Sequence, residues 1–276
     1  MGPVMTIAWL ELRRMARGKK LVILLLIYVG AAALAFTVRR YAPDPGSGEG
    51  GWPMVYVLMM TFLFMQTLVL LVPLLFMTGL VRDEIEDGTL VYLFTRPVPK
   101  SLAFAAKFAA AAAFSALLTA GGMLLFHAAF TLAARHPDAS FDWGKRLGAF
   151  VAAGVLGVVG YGAIFAFAGL VSRRAHVFGI AFGFLSEFVL TNVPAVIKKL
   201  TVMHYLRSVA LGGLAEDSPG KGNALLKAME EVRLIDFTAP ATAVLVVFGA
   251  AVVLVAASLV VVSVVEFPLQ KSQEST

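Results

Sequence analysis

The residues best able to do chemistry in this chain lie in a polar insert between two apolar runs. Val81 to Lys107 reads VRDEIEDGTLVYLFTRPVPKSLAFAAK and opens with four carboxylates, Asp83, Glu84, Glu86 and Asp87. Asp87 or Thr89, on either side of Gly88, can cap a short helix by accepting from its free first amides. Acidic residues there also suit the positive pole of the helix dipole. Leu90, Leu93 and Phe94 share one face at i, i+3, i+4 spacing. Arg96 and Pro97 follow, and Pro97 with Pro99 ends the helix. The spacing predicts a short helix held outside the membrane with an apolar face, a shape that fits a groove on another protein. A solvated loop is the other reading, but a plain loop has no need of the apolar set. The chemistry is docking rather than bond breaking.

Few other groups compete. Glu187 lies in an apolar run, where an ionisable residue is costly and faces a bundle interior or an aqueous path. It is read as a substrate contact or gate, or as a hydrogen-bonded interior carboxyl. Its candidate partners are His127, Arg173 and Arg174. His127, near the end of another run, is read as a packed histidine before a ligand. Met59, Met60 and Met65 carry thioethers that bind Cu(I), but they do not share one face, and methionine is an ordinary core filler. No metal site is expected. Pro219-Gly220-Lys221-Gly222-Asn223 lacks the spacing of a phosphate-binding loop, and no His-Glu-x-x-His or serine-elbow pattern occurs. An energy source in ATP would have to come from another polypeptide.

The elements that must position these groups are membrane helices. Of 276 residues, 59% are hydrophobic and 14% charged, against about a quarter charged in a soluble domain; the mean hydropathy is +0.85. Runs at roughly 21–38, 54–80, 102–133, 147–171, 176–197 and 239–265 reach the ~20 apolar residues needed to cross a bilayer. The expected fold is all-α and polytopic, with six transmembrane helices in one domain over 1–276. Its parts are an interfacial segment 1–20, a cytoplasmic segment 81–101 and an outer loop 198–238 with short helices. No cysteine is present, so no disulfide or thiolate site is possible. The first span is expected to remain uncleaved, since its apolar run is longer than the ~7–15 residues of a signal core.

Charge sets the orientation. Arg13, Arg14, Arg17, Lys19 and Lys20 precede the first run; Arg82, Arg96 and Lys100 follow the second; Arg173 and Arg174 follow the fourth. The positive-inside rule then puts both termini in the cytoplasm. The net charge of +6 is a topology signal and implies no nucleic-acid partner. In the first 18 residues Val4, Ile7, Ala8, Leu12 and Met15 can share a face while Glu11, Arg14 and Arg17 fall elsewhere, as in an interfacial helix. Lys107 is expected to snorkel to the headgroups. Gly154, Gly157 and Gly160 form a small-residue stripe for close helix contact, within one chain or between two. Val196 to Leu214 and Asn223 to Phe237 read as amphipathic helices on the outer membrane surface.

The order acidic cluster, Gly-Thr-Leu, apolar stretch, Arg-Pro-Val-Pro-Lys, then a lysine in the next span resembles the ABC exporter permeases of the type-2 class. The matching positions are Glu84, Glu86, Gly88, Thr89, Leu90, Arg96, Pro97 and Lys107. The resemblance extends to the layout of six spans, internal termini and N-terminal amphipathic helix. It implies that 81–101 contains the coupling helix that docks on an ATPase subunit, and that two ATPase copies join two permease chains, identical or related. It further implies that ATP and Mg sit on the ATPase, that this chain binds no cofactor, and that the complex exports from a bacterial or archaeal inner membrane. The largely apolar spans favour a hydrophobic or amphipathic cargo. The rivals are an ATP-independent secondary transporter or channel, a non-transporting scaffold, and last an intramembrane enzyme, for which no nucleophile–base pair is visible.

Overall fold

The computed structural model describes residues 2–45, 51–80, 99–135, 141–172, 174–183, 185–186, 199–212 and 238–264. In hydrocarbon each backbone amide and carbonyl must be satisfied within the protein, and helices do this locally. Nine α-helices are used below: α1 (Pro3–Arg17), α2 (Lys19–Tyr41), α3 (Gly51–Met59), α4 (Val69–Met77), α5 (Lys100–Leu132), α6 (Trp143–Val171), α7 (Ala175–Gly183), α8 (Val202–Leu211) and α9 (Pro240–Val264). A π-helical stretch, Met60–Leu68, joins α3 to α4 into one span. Among the described residues five helices are long and apolar enough to cross a membrane: Lys19–Tyr41, Gly51–Met77, Lys100–Leu132, Trp143–Val171 and Pro240–Val264. The run at 176–197 is described only at its start, as α7, and its remainder lies outside the described residues.

Local chemistry sets the ends. Pro3 opens α1, where its missing amide costs nothing. Gly18, with extended φ −74° and ψ 144°, separates α1 from α2. Asp142 caps α6 by accepting from the Lys145 amide at 2.9 Å, and Thr201 caps α8 through the His204 amide at 3.3 Å. In the π-helical stretch the Thr67 hydroxyl donates to the Phe62 carbonyl at 3.1 Å, five residues back. The Val69 amide likewise reaches Phe64 O. Pro73 follows inside α4, where it removes one more amide from the ladder.

The first four described spans alternate in direction. At the near end the end of the second span meets the start of α2 and the end of α6; at the far end the end of α2 meets the starts of α3 and α6 and the end of α5. Helix α6 is the hub, packed on α4, α5, α8 and α9. Its glycines make that possible. Gly154 faces Met123 and Thr119 of α5, Gly157 faces Val69 and Leu206, Gly160 faces Val247 of α9, and Gly162 faces Met77. The predicted stripe is therefore a contact face within one chain, where small residues let helices approach closely.

Three expectations are corrected. Glu11 is not on the open side of α1: it is buried with Ile7 and Met15, and Arg14 Nη2 lies 2.7 Å from its carboxylate, which offsets the buried charge. Lys107 does not snorkel; it is 3% exposed. At 33 residues, α5 spans ~50 Å, and α1 covers its first turns through Ile7 on Ala103 and Ala106, the same face that carries Lys107. Third, α8 does not lie on a surface. Met203, Leu206 and Leu211 are fully buried, and α8, ten residues and ~15 Å long, packs along α6 from Arg146, whose Nη1 reaches Ala210 O, to Gly160 beside Val202. The polar face of α8 meets polar partners inside the bundle instead of water.

Candidate functional site

The docking residues expected from sequence (Glu84, Glu86, Asp87, Gly88, Thr89, Leu90, Leu93, Phe94, Arg96 and Pro97) lie outside the described residues, as does Glu187. Their near-end frame is described. The second span stays buried to its last described residue: Thr78 is fully buried and Leu80 is 1% exposed. The closing carbonyls of a helix have no partner within it. Here Leu74 O accepts from the Thr78 hydroxyl at 2.6 Å, and Leu75 O accepts from Lys20 Nζ at 3.1 Å. His176 Nε2 of α7 stands 3.5 Å from the same Thr78 hydroxyl. On the other side the Thr78 carbonyl rests on Gly169 of α6, so closely that a Cβ there would collide with it. After 81–98 the chain returns through Pro99 as the N-cap of α5.

His127, the described member of the intramembrane pair, is half-buried, and its Nδ1 lies 2.9 Å from Tyr56 Oη. The Tyr56 ring packs among Phe126, Phe130, Trp143 and Phe150. Beside this cluster the buried Arg39 guanidinium lies over Trp52, 4.3 Å from its centroid, with Phe130 at 5.3 Å and Trp143 at 5.9 Å. The geometry makes His127 part of a packed aromatic wall at the far end.

Two further polar links cross the bundle. Arg207 Nη2 donates to Gln66 Oε1 at 2.8 Å, and Arg146 Nη1 donates to Ala210 O at 2.8 Å. In the first turn of α8, His204 Nε2 lies 3.0 Å from the Thr238 hydroxyl. Sequence reading missed Gln66, whose only signal is a polar amide within an apolar run, weaker than the ionisable group that singled out Glu187. Arg39 and Arg146 gave no signal that they would be buried; the rings around Arg39 are brought together only by the fold. Lys20 carried no signal beyond its sign.

The arrangement is an all-helical bundle in which five described helices are long and apolar enough to cross a membrane and in which polar groups link helices; this defines a multi-pass membrane component. The profile of the family described as ABC-2 family transporter protein matches residues 7–190. That is well over half of the chain, and the chain belongs to this family. No curated protein matches it. It is accordingly a multi-pass membrane protein of the ABC-2 permease kind.

Proposed function

We propose that this chain is the permease subunit of an ATP-driven exporter, moved by a separate ATPase that docks on residues 81–101. The observation that carries the reading is the family match, which runs through the whole of that insert. Leu90, Leu93 and Phe94 form the apolar docking face. Glu84, Glu86, Asp87, Gly88 and Thr89 start the coupling helix, and Arg96 and Pro97 end it. ATP and Mg belong to the ATPase; two copies serve two permease chains, identical or related.

The basic leader and basic inserts favour a cytoplasmic near end with both termini inside, and the 176–197 run supplies the sixth span. Helix α1 lies in the headgroup layer, a placement supported by exposed Met5, Trp9 and Leu10 and by Arg13 over the Trp9 ring at 5.1 Å. Nucleotide-driven motion of the insert tilts the bundle and opens a path between two permease chains. The apolar spans favour hydrophobic or amphipathic cargo. Glu187 is a substrate contact or gate, and His127 contributes through the wall it shares with Tyr56.

The test is ATP turnover by the co-expressed ATPase and permease in nanodiscs. The expected result is hydrolysis that differs from that of the ATPase alone and falls back to it when the insert is replaced by a Gly/Ser linker. Equal turnover in all three preparations would contradict the reading.

A further inference from the structure

The near-end turn has a geometry that a simple helix terminus does not require. Three helices meet it: α2 through Lys20 on Leu75 O, α6 through Gly169 beneath Thr78 O, and α7 through His176 beside the Thr78 hydroxyl. Lysine at a helix C-terminus satisfies an orphan carbonyl and complements the negative pole of the dipole. A cation that bonds a carbonyl also makes a stronger bond than a neutral donor. Lys20 comes from 55 positions earlier in the chain, so this bond ties two spans and not two turns of one helix. Thr78, Gly79 and Leu80 are all buried, and residue 81 follows directly. A displacement of the insert that reaches Thr78 would act there on α6 and α7, and at Leu75, three residues earlier, on α2.

We propose that Lys20 and the Thr78 socket are the junction that converts movement of the docking insert into movement of the bundle, with Lys20 as a positioning residue for coupling. The proposal rests on the permease reading above. Lys20 does not touch the ATPase in this role; it fixes the end of the second span to the first, so that the near-end displacement reaches the far end. Losing the bond would leave docking intact and let the turn slip.

The chain has no cysteine, which permits a direct test. Tyr41→Cys and Leu245→Cys place spin labels at exposed positions near the far ends of α2 and α9. The distance between them is measured in nanodiscs with the co-purified ATPase, with and without ATP and vanadate. The expected result is a nucleotide-dependent change of distance in the parent. Lys20→Met should lose that change while retaining the ATPase, and Lys20→Arg, which keeps the cationic donor, should restore it. Permease-dependent ATP turnover should fall about tenfold in Lys20→Met, the size of one charge-assisted hydrogen bond. If Lys20→Met does not fold, Lys20→Gln serves in its place. An unchanged distance response in the uncharged variant would overturn the proposal and leave the permease reading standing. Failure of the parent to retain any ATPase would overturn that reading, and the proposal with it.

Discussion

Arg207 Nη2 donates to Gln66 Oε1 at 2.8 Å, with both residues buried at 4% exposure. The bond ties α8 to the π-helical stretch of the second span. A π-helix is rare and poorly stabilised by its own ladder, so a side-chain tie at Gln66 helps to hold this register. Removing one partner leaves the other buried with one bond fewer, at about 1–3 kcal/mol. Gln66→Leu and Arg207→Met should each lower the apparent melting temperature in detergent. The double variant should lose less than the sum of the two, as contacting residues do. Strict additivity would mean that the pair does not interact in solution.

Arg39 makes a second, separable claim. A guanidinium over Trp52 with two further rings nearby contributes about 0.5–2 kcal/mol according to how dry the site is. Arg39→Gln should lower the melting temperature. Trp52→Leu should lower it as well, and the pair should again be non-additive. Arg40, its exposed neighbour, should tolerate glutamine with no measurable change.

Glycine positions give a steric prediction with an internal control. A Cβ at Gly169 would collide with backbone, at Thr78 O, and backbone yields less readily than a side-chain tip. A Cβ at Gly249 meets nothing within 4 Å. Gly169→Ala is expected to destabilise by about 1–3 kcal/mol, the usual range for overpacking. Gly249→Ala is expected to be neutral or to stabilise slightly, since alanine is the better helix former. Thermal unfolding of the two variants side by side checks both signs.

His127 and Tyr56 were joined by structure rather than by sequence. Tyr56→Phe keeps the ring in its aromatic surroundings and removes only the hydroxyl at 2.9 Å from Nδ1. It should therefore cost about 0.5–1.5 kcal/mol, one hydrogen bond, while Tyr56→Ala should cost several times more through the lost ring. Melting curves of the two variants separate the bond from the packing.

Much of the frame was legible because it follows from hydropathy and glycine spacing. The runs near 21, 54, 102, 147 and 239 begin within a few residues of described helices, and Gly154, Gly157 and Gly160 face neighbours as small residues at close crossings do. What was not legible depends on tertiary partners. Helix α8 has the alternation of a surface helix, but Arg207 and His204 find Gln66 and Thr238 in the bundle, so the polar face turns inward. The amphipathic pattern of α1 placed Glu11 off the apolar face, yet it is buried beside Ile7 and Met15 with Arg14 three residues on to offset its charge. The π-helical register from Met60 to Leu68 leaves no mark in hydropathy, because the period of an apolar run cannot be read when nearly every residue is apolar. The docking residues and Glu187 lie outside the described residues, so their reading rests on sequence and family.

The central claim is that the insert holds an ATPase. The most direct measurement is co-purification of a co-expressed ABC ATPase subunit with the wild-type chain and with Leu90→Asp plus Phe94→Asp. These changes put two charges on the apolar docking face and touch no span. The account expects the ATPase with wild type and its loss from the variant, with the permease itself recovered in equal amount. Equal retention by both would contradict the docking face, and no retention by wild type under mild extraction would contradict the ATP-driven permease.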